Sequence, residues 1–134
     1  MSHSLSGQIL FIPEKLYSLN EYRNAHYFKL NTLKLHWLDM TKIALIRYKI
    51  QPVSNPVEVY FTFQFVNNRR KDLDNYSATV KFVLDALVYC EIIPDDSIKY
   101  IKAIKMDYQI EKVEGVKVEI VEVNSDWIKC TDYE

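Results

Sequence analysis

Glycine is nearly missing from this chain, with two residues in 134. That excludes a glycine-rich flexible linker, and no run between the termini has a disordered composition. Cysteine is as scarce, and Cys90 and Cys130 stand outside any metal-binding or redox spacing. Both are expected to be reduced thiols in a cytoplasmic protein. No apolar run reaches the length of a membrane span and no N-terminal segment has the form of a signal peptide, so a soluble protein with no membrane partner is expected. His36 has no second imidazole three or four residues away, which removes the usual helical zinc pair. No internal repeat is present.

What the chain does have is apolar bulk, at 49% of residues. That suffices for one domain over residues 1–134, with the polar stretch 124–134 and its lone Trp127 as a peripheral tail. A net charge of −1 hides an asymmetry: residues 1–71 hold ten Lys/Arg against four Asp/Glu, and residues 72–134 hold seven against fourteen. A DNA-binding protein can be neutral overall when its cations gather on one face, although a near-zero total argues against strong non-specific affinity.

Residues 7–12 (Gly-Gln-Ile-Leu-Phe-Ile) read as a first strand ended by Pro13. Residues 14–29 show no clear period and read as a long loop. There Tyr22, Arg23, His26 and Lys29 could meet DNA backbone or unstacked bases, or form a surface loop pinned by tyrosines. Leu30, Leu33, Trp37, Met40 and Ala44 then recur at three and four, predicting a helix over about 31–48 capped by Asn31 or Thr32. Lys34, His36, Lys42, Arg47 and Lys49 decorate its other faces, as a solvated surface or as a path for DNA. Val57 to Val66 is almost continuously apolar, which predicts a central strand covered on both faces. A second helix over about 75–89 would bury Tyr76, Val80, Val83, Leu84 and Leu87. Ser97 to Ile110 alternates and predicts a long strand, with Val116 to Val123 as its hairpin partner across Gly115. The order is β-α-β-α-β-β, an α+β single domain with a mixed sheet and two helices.

Between the central strand and the second helix lies Arg69-Arg70-Lys71-Asp72-Leu73-Asp74-Asn75. Carboxylates this close raise each other's pKa or recruit a counter-ion. In an extended segment Asp-x-Asp puts both side chains on one side, about 6–7 Å apart, a span that a divalent cation and its waters can bridge. The bland reading is that Asp74 caps the helix behind it. A second acidic turn, Ile93-Pro94-Asp95-Asp96-Ser97, follows that helix. If strand order brings the two turns together, they make a site for Mg²⁺, which takes a few carboxylates plus waters and substrate phosphate.

Asp72-Leu73-Asp74-Asn75, then Lys81, then Asp85-Ala86-Leu87, then Asp95-Asp96-Ser97 resembles the signature of the RusA family of phage-type Holliday junction resolvases. Pro13, Ser18, Asn20, Tyr22 and Arg23 resemble that family's N-terminal stretch more loosely, so the likeness runs from about 7 to 123 and is strongest over 69–98. It implies a homodimeric, Mg²⁺-dependent endonuclease, with Mn²⁺ a possible substitute, that makes paired cuts across a four-way DNA junction. Carried onto this chain, the catalytic acids are Asp72, Asp74 and Asp96, with Asp95 beside them as a further metal ligand. The family's lysine falls on Lys81. Here the chain departs from the pattern: about three extra residues, nearly one helical turn, separate Asp74-Asn75 from it, and counting from the N-terminal side reaches Ala78 instead. Lys81 either reaches back toward phosphate or pairs with Asp85 four residues on. Arg69, Arg70, Lys71, Arg23, Tyr22 and Asn20 are the candidate DNA contacts.

In a phosphodiester displacement, Mg²⁺ on such carboxylates polarises the scissile phosphate and lowers the pKa of an attacking water. Lys81, Arg69, Arg70 and Lys71 would neutralise the transition state or grip flanking phosphates. A two-fold dimer would match two symmetry-related strands, with Tyr and Phe side chains at its interface. The same residues leave open a Mg²⁺-dependent nucleotide phosphohydrolase, a non-catalytic junction-binding protein, and an α+β domain whose acidic turns are only solvated.

Overall fold

The strand with the strongest signal takes the central place. A computed structural model describes residues 7–18, 21, 23, 26–69 and 71–123. In it β2 (Val57–Phe65) alternates strictly: Val57, Val59, Phe61, Phe63 and Phe65 are buried, while Glu58, Tyr60, Thr62 and Gln64 are half-buried. A period of two turns one face of a strand to the core. On one side β2 pairs in parallel with β3 (Ile101–Ile110), and on the other antiparallel with β4 (Gly115–Glu122). Strand β1 (Gln8–Ile12) pairs antiparallel with β4, so the order across the sheet is β1-β4-β2-β3.

Two helices complete the fold, α1 (Tyr27–Arg47) and α2 (Ser77–Tyr89), the second preceded by a 3₁₀ turn, Leu73–Tyr76. The core joins the inner strand residues to Trp37, Ala44 and Leu45 of α1 and to Phe82, Val83 and Leu87 of α2. Trp37 and Phe82 lie nearly parallel, with ring centroids 6.3 Å apart. This is the α+β arrangement expected from the pattern, with a mixed four-stranded sheet and two helices.

The local details differ in four places. First, β3 and β4 are not hairpin partners, because β2 lies between them. The connection after β3 crosses the end of β2, where Glu111 donates its backbone N–H to the Phe65 carbonyl at 2.8 Å. Alternation marks a strand's faces and says nothing of its neighbours, and β3 and β4 run antiparallel here as they would in a hairpin. Second, α1 begins at Tyr27, within the stretch read as loop, and His26 takes the N-cap position without a side-chain bond. Asn31 and Thr32 lie inside the helix, the Thr32 hydroxyl donating to the Phe28 carbonyl at 2.9 Å. The first turn exposes Tyr27 and Phe28, so no apolar period announces it. Third, β2 is fully covered on one face only, its other side chains being the half-buried polar set. Fourth, residues 97–100 form a turn closed by the N–H groups of Tyr100 and Ile101 on the Ser97 carbonyl. An irregularity beside Val57 then pairs Val57 with Ile101 but Glu58 with Ala103. The skipped residue lets odd-numbered Ile101 share the inner face with Ile104, Met106 and Tyr108.

The segment after β1 is tied down by one hydroxyl. Thr79 of α2 is fully buried, accepts from the Tyr17 N–H at 3.2 Å and donates to the Tyr17 carbonyl at 3.1 Å. Thr79→Val keeps the shape and leaves both Tyr17 groups without that partner, so urea unfolding should show a loss of about 1–3 kcal/mol. Thr79→Ser should lose less, and equal losses would mean that the hydroxyl is not the tie.

Candidate functional site

Beyond Phe65 the chain leaves the sheet and folds on itself before entering α2. Lys71 organises this passage: its Nζ donates to Asn67 Oδ1 at 3.0 Å and to the Arg69 carbonyl at 3.2 Å, and it lies 4.9 Å from the centre of the Phe65 ring. The Arg69 N–H is held by Asn67 Oδ1 at 3.0 Å. A cleft of about 250 Å³ opens here, walled by Phe65, Tyr108 and Leu73 on the apolar side and by Arg69, Lys71 and Asn68 on the polar side. Lys71 is thus partly spent on holding its own loop, whereas Arg69 is exposed.

Asp72 and Asp74 follow directly, both exposed. The Asn75 N–H donates to the Asp72 carbonyl at 2.9 Å, closing the 3₁₀ turn. Tyr76, rather than Asp74, stands at the N-cap of α2, and neither it nor Asp72 makes a side-chain capping bond. The carboxylates are therefore not accounted for as caps. Tyr76 packs on Phe65 and Phe63, at 5.0 and 5.8 Å between centroids. Burial pushes its phenol pKa up, and the negative charges of Glu114 and Glu21 push it further. These two glutamates, which the sequence reading passed over, gather at the Asp72–Asp74 end of the molecule. Glu114 is held in place by the Leu16 N–H, which donates to its Oε2 at 2.8 Å. Only the parallel pairing of β2 with β3 shows that the connection carrying Glu114 returns to this end.

Asp95 and Asp96 are exposed too, in the turn between α2 and β3. That turn is pinned to the start of β2: Val53 N–H donates to the Ile92 carbonyl at 2.8 Å and Val57 N–H to the Tyr100 carbonyl at 2.7 Å. Asp72 and Asp74 lie past the other end of the same strand. Nine residues of strand span about 30 Å, and the thirteen residues of α2 about 20 Å. Within one chain the fold brings Asp72 to Asp74 and Asp95 to Asp96, and holds the two pairs apart. Among the described residues no three His, Cys, Asp or Glu side chains gather as a metal cage. Asp72 and Asp74 alone still suit Mg²⁺, which accepts one or two carboxylates and fills its other positions with water and phosphate.

Lys81 takes the structural option, with Nζ 3.8 Å from Asp85 Oδ2 on the exposed side of α2. Ala78, the other position reached by counting, is buried. Arg23 is exposed, while Asn20, Tyr22 and Arg70 lie outside the described residues. Cys90 is unpaired and half-buried, and burial raises its thiol pKa against a smaller opposing effect of Lys42. No helix among the described residues is long and apolar enough to cross a membrane.

No protein-family model matches the chain, and no curated protein matches it. The resemblance to the RusA family therefore stands on the residues quoted for it.

Lys81→Ala should change the free energy of unfolding, measured by chemical denaturation, by no more than about 0.5 kcal/mol, as expected for an exposed helical pair. A clearly larger loss would show that this side chain supports more than Asp85.

Proposed function

We propose that the chain is a Mg²⁺-dependent endonuclease that resolves four-way DNA junctions in recombination and repair, working in the cytoplasm as a homodimer. One observation carries the reading: two exposed carboxylates, Asp72 and Asp74, stand where the central strand hands over to a helix, beside a cleft bearing Arg69 and Lys71. Mg²⁺ there would supply a polarised phosphate and a more acidic water. Arg69, Lys71 and Arg70 take the flanking phosphates, and Arg23, Tyr22 and Asn20 extend the contact. Asp96, with Asp95, completes the acidic set from a second copy, because parallel β2 and β3 leave that turn at the far end of its own chain. A two-fold axis across the sheet exchanges those ends.

A non-catalytic junction binder is the second reading, favoured by the pairing of Lys81 with Asp85. Cleavage of a synthetic four-way junction beside a linear duplex of the same sequence, with and without Mg²⁺, separates the two. Symmetric, Mg²⁺-dependent nicks in the junction alone are expected, reduced about 100-fold or more by Asp72→Asn with junction binding retained. Tight binding without cuts would leave the binder, and neither binding nor cutting would leave the nucleotide phosphohydrolase.

A further inference from the structure

The inner face of the sheet is sealed over β2 and only partly covered over β3, where Ile101 is buried and Met106 packs on the core. Val59, Phe61 and Phe63 are at most 1% exposed, yet their partners one strand over behave differently: Ile104 is 45% and Tyr108 60% exposed. Ile110, beside Phe65, is 45% exposed. Strand β3 is also the outer edge, ten residues long and without proline. Such an edge offers a row of backbone donors and acceptors to another strand, and here it carries charges of both signs. Three apolar positions of the inner face, Ile104, Tyr108 and Ile110, stay half-exposed on the edge strand.

We propose that this edge is where a second copy of the chain docks, β3 pairing antiparallel with its symmetry mate about Met106. The inference deepens the homodimer in the proposed function by naming its surface. The occupant follows from the charges on the strand. Lys102 and Lys105 lie in its first half and Asp107 in its second, with Glu111 just beyond. Antiparallel pairing about Met106 sets Lys105 of each copy directly opposite Asp107 of the other. On the inner face it sets Ile104 opposite Tyr108, while Ile110 falls opposite Lys102 at the end of the ladder. Neighbouring registers are worse: centring on Lys105 opposes two lysines and centring on Asp107 opposes two aspartates, and like charges directly opposite destabilise a strand pair. Centring on Tyr108 pairs Lys105 with Glu111 but shortens the ladder. The strand is thus complementary to its own reverse, and the register about Met106 combines that complementarity with the longer ladder. Two four-stranded sheets become one, with the helices of both copies on the same side. The same axis turns the Asp95–Asp96 end of one copy toward the Asp72–Asp74 end of the other.

The test is the solution mass of the full chain by light scattering at about 10 μM. The wild type should have twice the mass of one chain. Lys105→Asp and Asp107→Lys should each be monomeric, because each opposes like charges across the axis. Mixed in equal amounts they should restore the double mass, since every facing pair is again opposite in sign, and the double variant K105D/D107K should do so alone. A monomeric wild type overturns the proposal, as do single variants that stay dimeric or a mixture that stays monomeric. Amide exchange on the wild type needs no variant: β3 amides facing away from β2 should be slower at about 10 μM than at about 0.1 μM. Equal rates at the two concentrations overturn the proposal even if a substituted chain fails to fold. Junction cleavage reads the other half separately. A dimer that does not cut leaves this interface and removes the endonuclease, whereas a monomer that cuts does the reverse.

Discussion

Parallel pairing of β2 with β3 is the constraint from which most of this molecule follows. Two parallel neighbours cannot be joined by a turn, so the chain must travel back along the full strand before starting the second one. Helix α2 is that return, and its burial on Phe82, Val83 and Leu87 holds it against the sheet. The loop before the helix and the loop after it must then lie at opposite ends of the strands. Asp72–Asp74 occupy the first loop and Asp95–Asp96 the second, so their separation is a consequence of topology and no side-chain rearrangement removes it.

The same constraint sets the electrostatics at the Asp72 end. Strand β3 finishes beside Phe65, and the connection that follows must cross the end of β2 to reach β4 on its far side. It carries Glu111 and Glu114 with it, and Glu114 contributes to the raised pKa of Tyr76. Negative charge therefore accumulates at that end beyond the two aspartates, while Lys71 is occupied by Asn67, the Arg69 carbonyl and the Phe65 ring. A polyanion approaching this end meets Arg69 as its exposed cation among the described residues of the loop. Such a surface favours a counter-ion between carboxylates and phosphate, which is the role that a divalent cation fills.

How much of this was legible in the sequence depended on which physical signal each feature leaves. Burial leaves a period, so β2, α2 and the inner positions Trp37, Val80, Val83 and Leu87 could be read directly. Neighbour relations leave none: β4 alternates identically whether it pairs with β3 or with β2, and the hairpin expectation failed there. The start of α1 was missed because Tyr27 and Phe28 face solvent, and a helical turn with no buried side has no apolar period. For the site, the acidic pairs were visible as short motifs, whereas Glu114 becomes a neighbour only through the fold. Lys81 was ambiguous because a four-residue spacing to Asp85 and a seven-residue spacing to Asp74 are both visible in a sequence, and the shorter is the contact that forms.

Separation of the acidic pairs bears on how the order of motifs should be weighed. Two acidic turns flanking one helix are the economical way to encode a shared site only if something other than the local chain closes the distance. Ligand-induced closure within one copy would have to break β2–β3 pairing that continues along the whole of β2, each strand contributing inner residues to one core. A rigid second copy breaks nothing. Its two-fold axis needs a surface along which the ends of the sheet exchange, and an edge strand meets that condition. Strand β3 is the edge next to the helix crossover, and its uncovered Ile104, Tyr108 and Ile110 lie on the strand that runs from one acidic end to the other. On the proposed pairing, association and completion of the acidic set would be the same event, and an isolated chain would bind Mg²⁺ more weakly than a paired one.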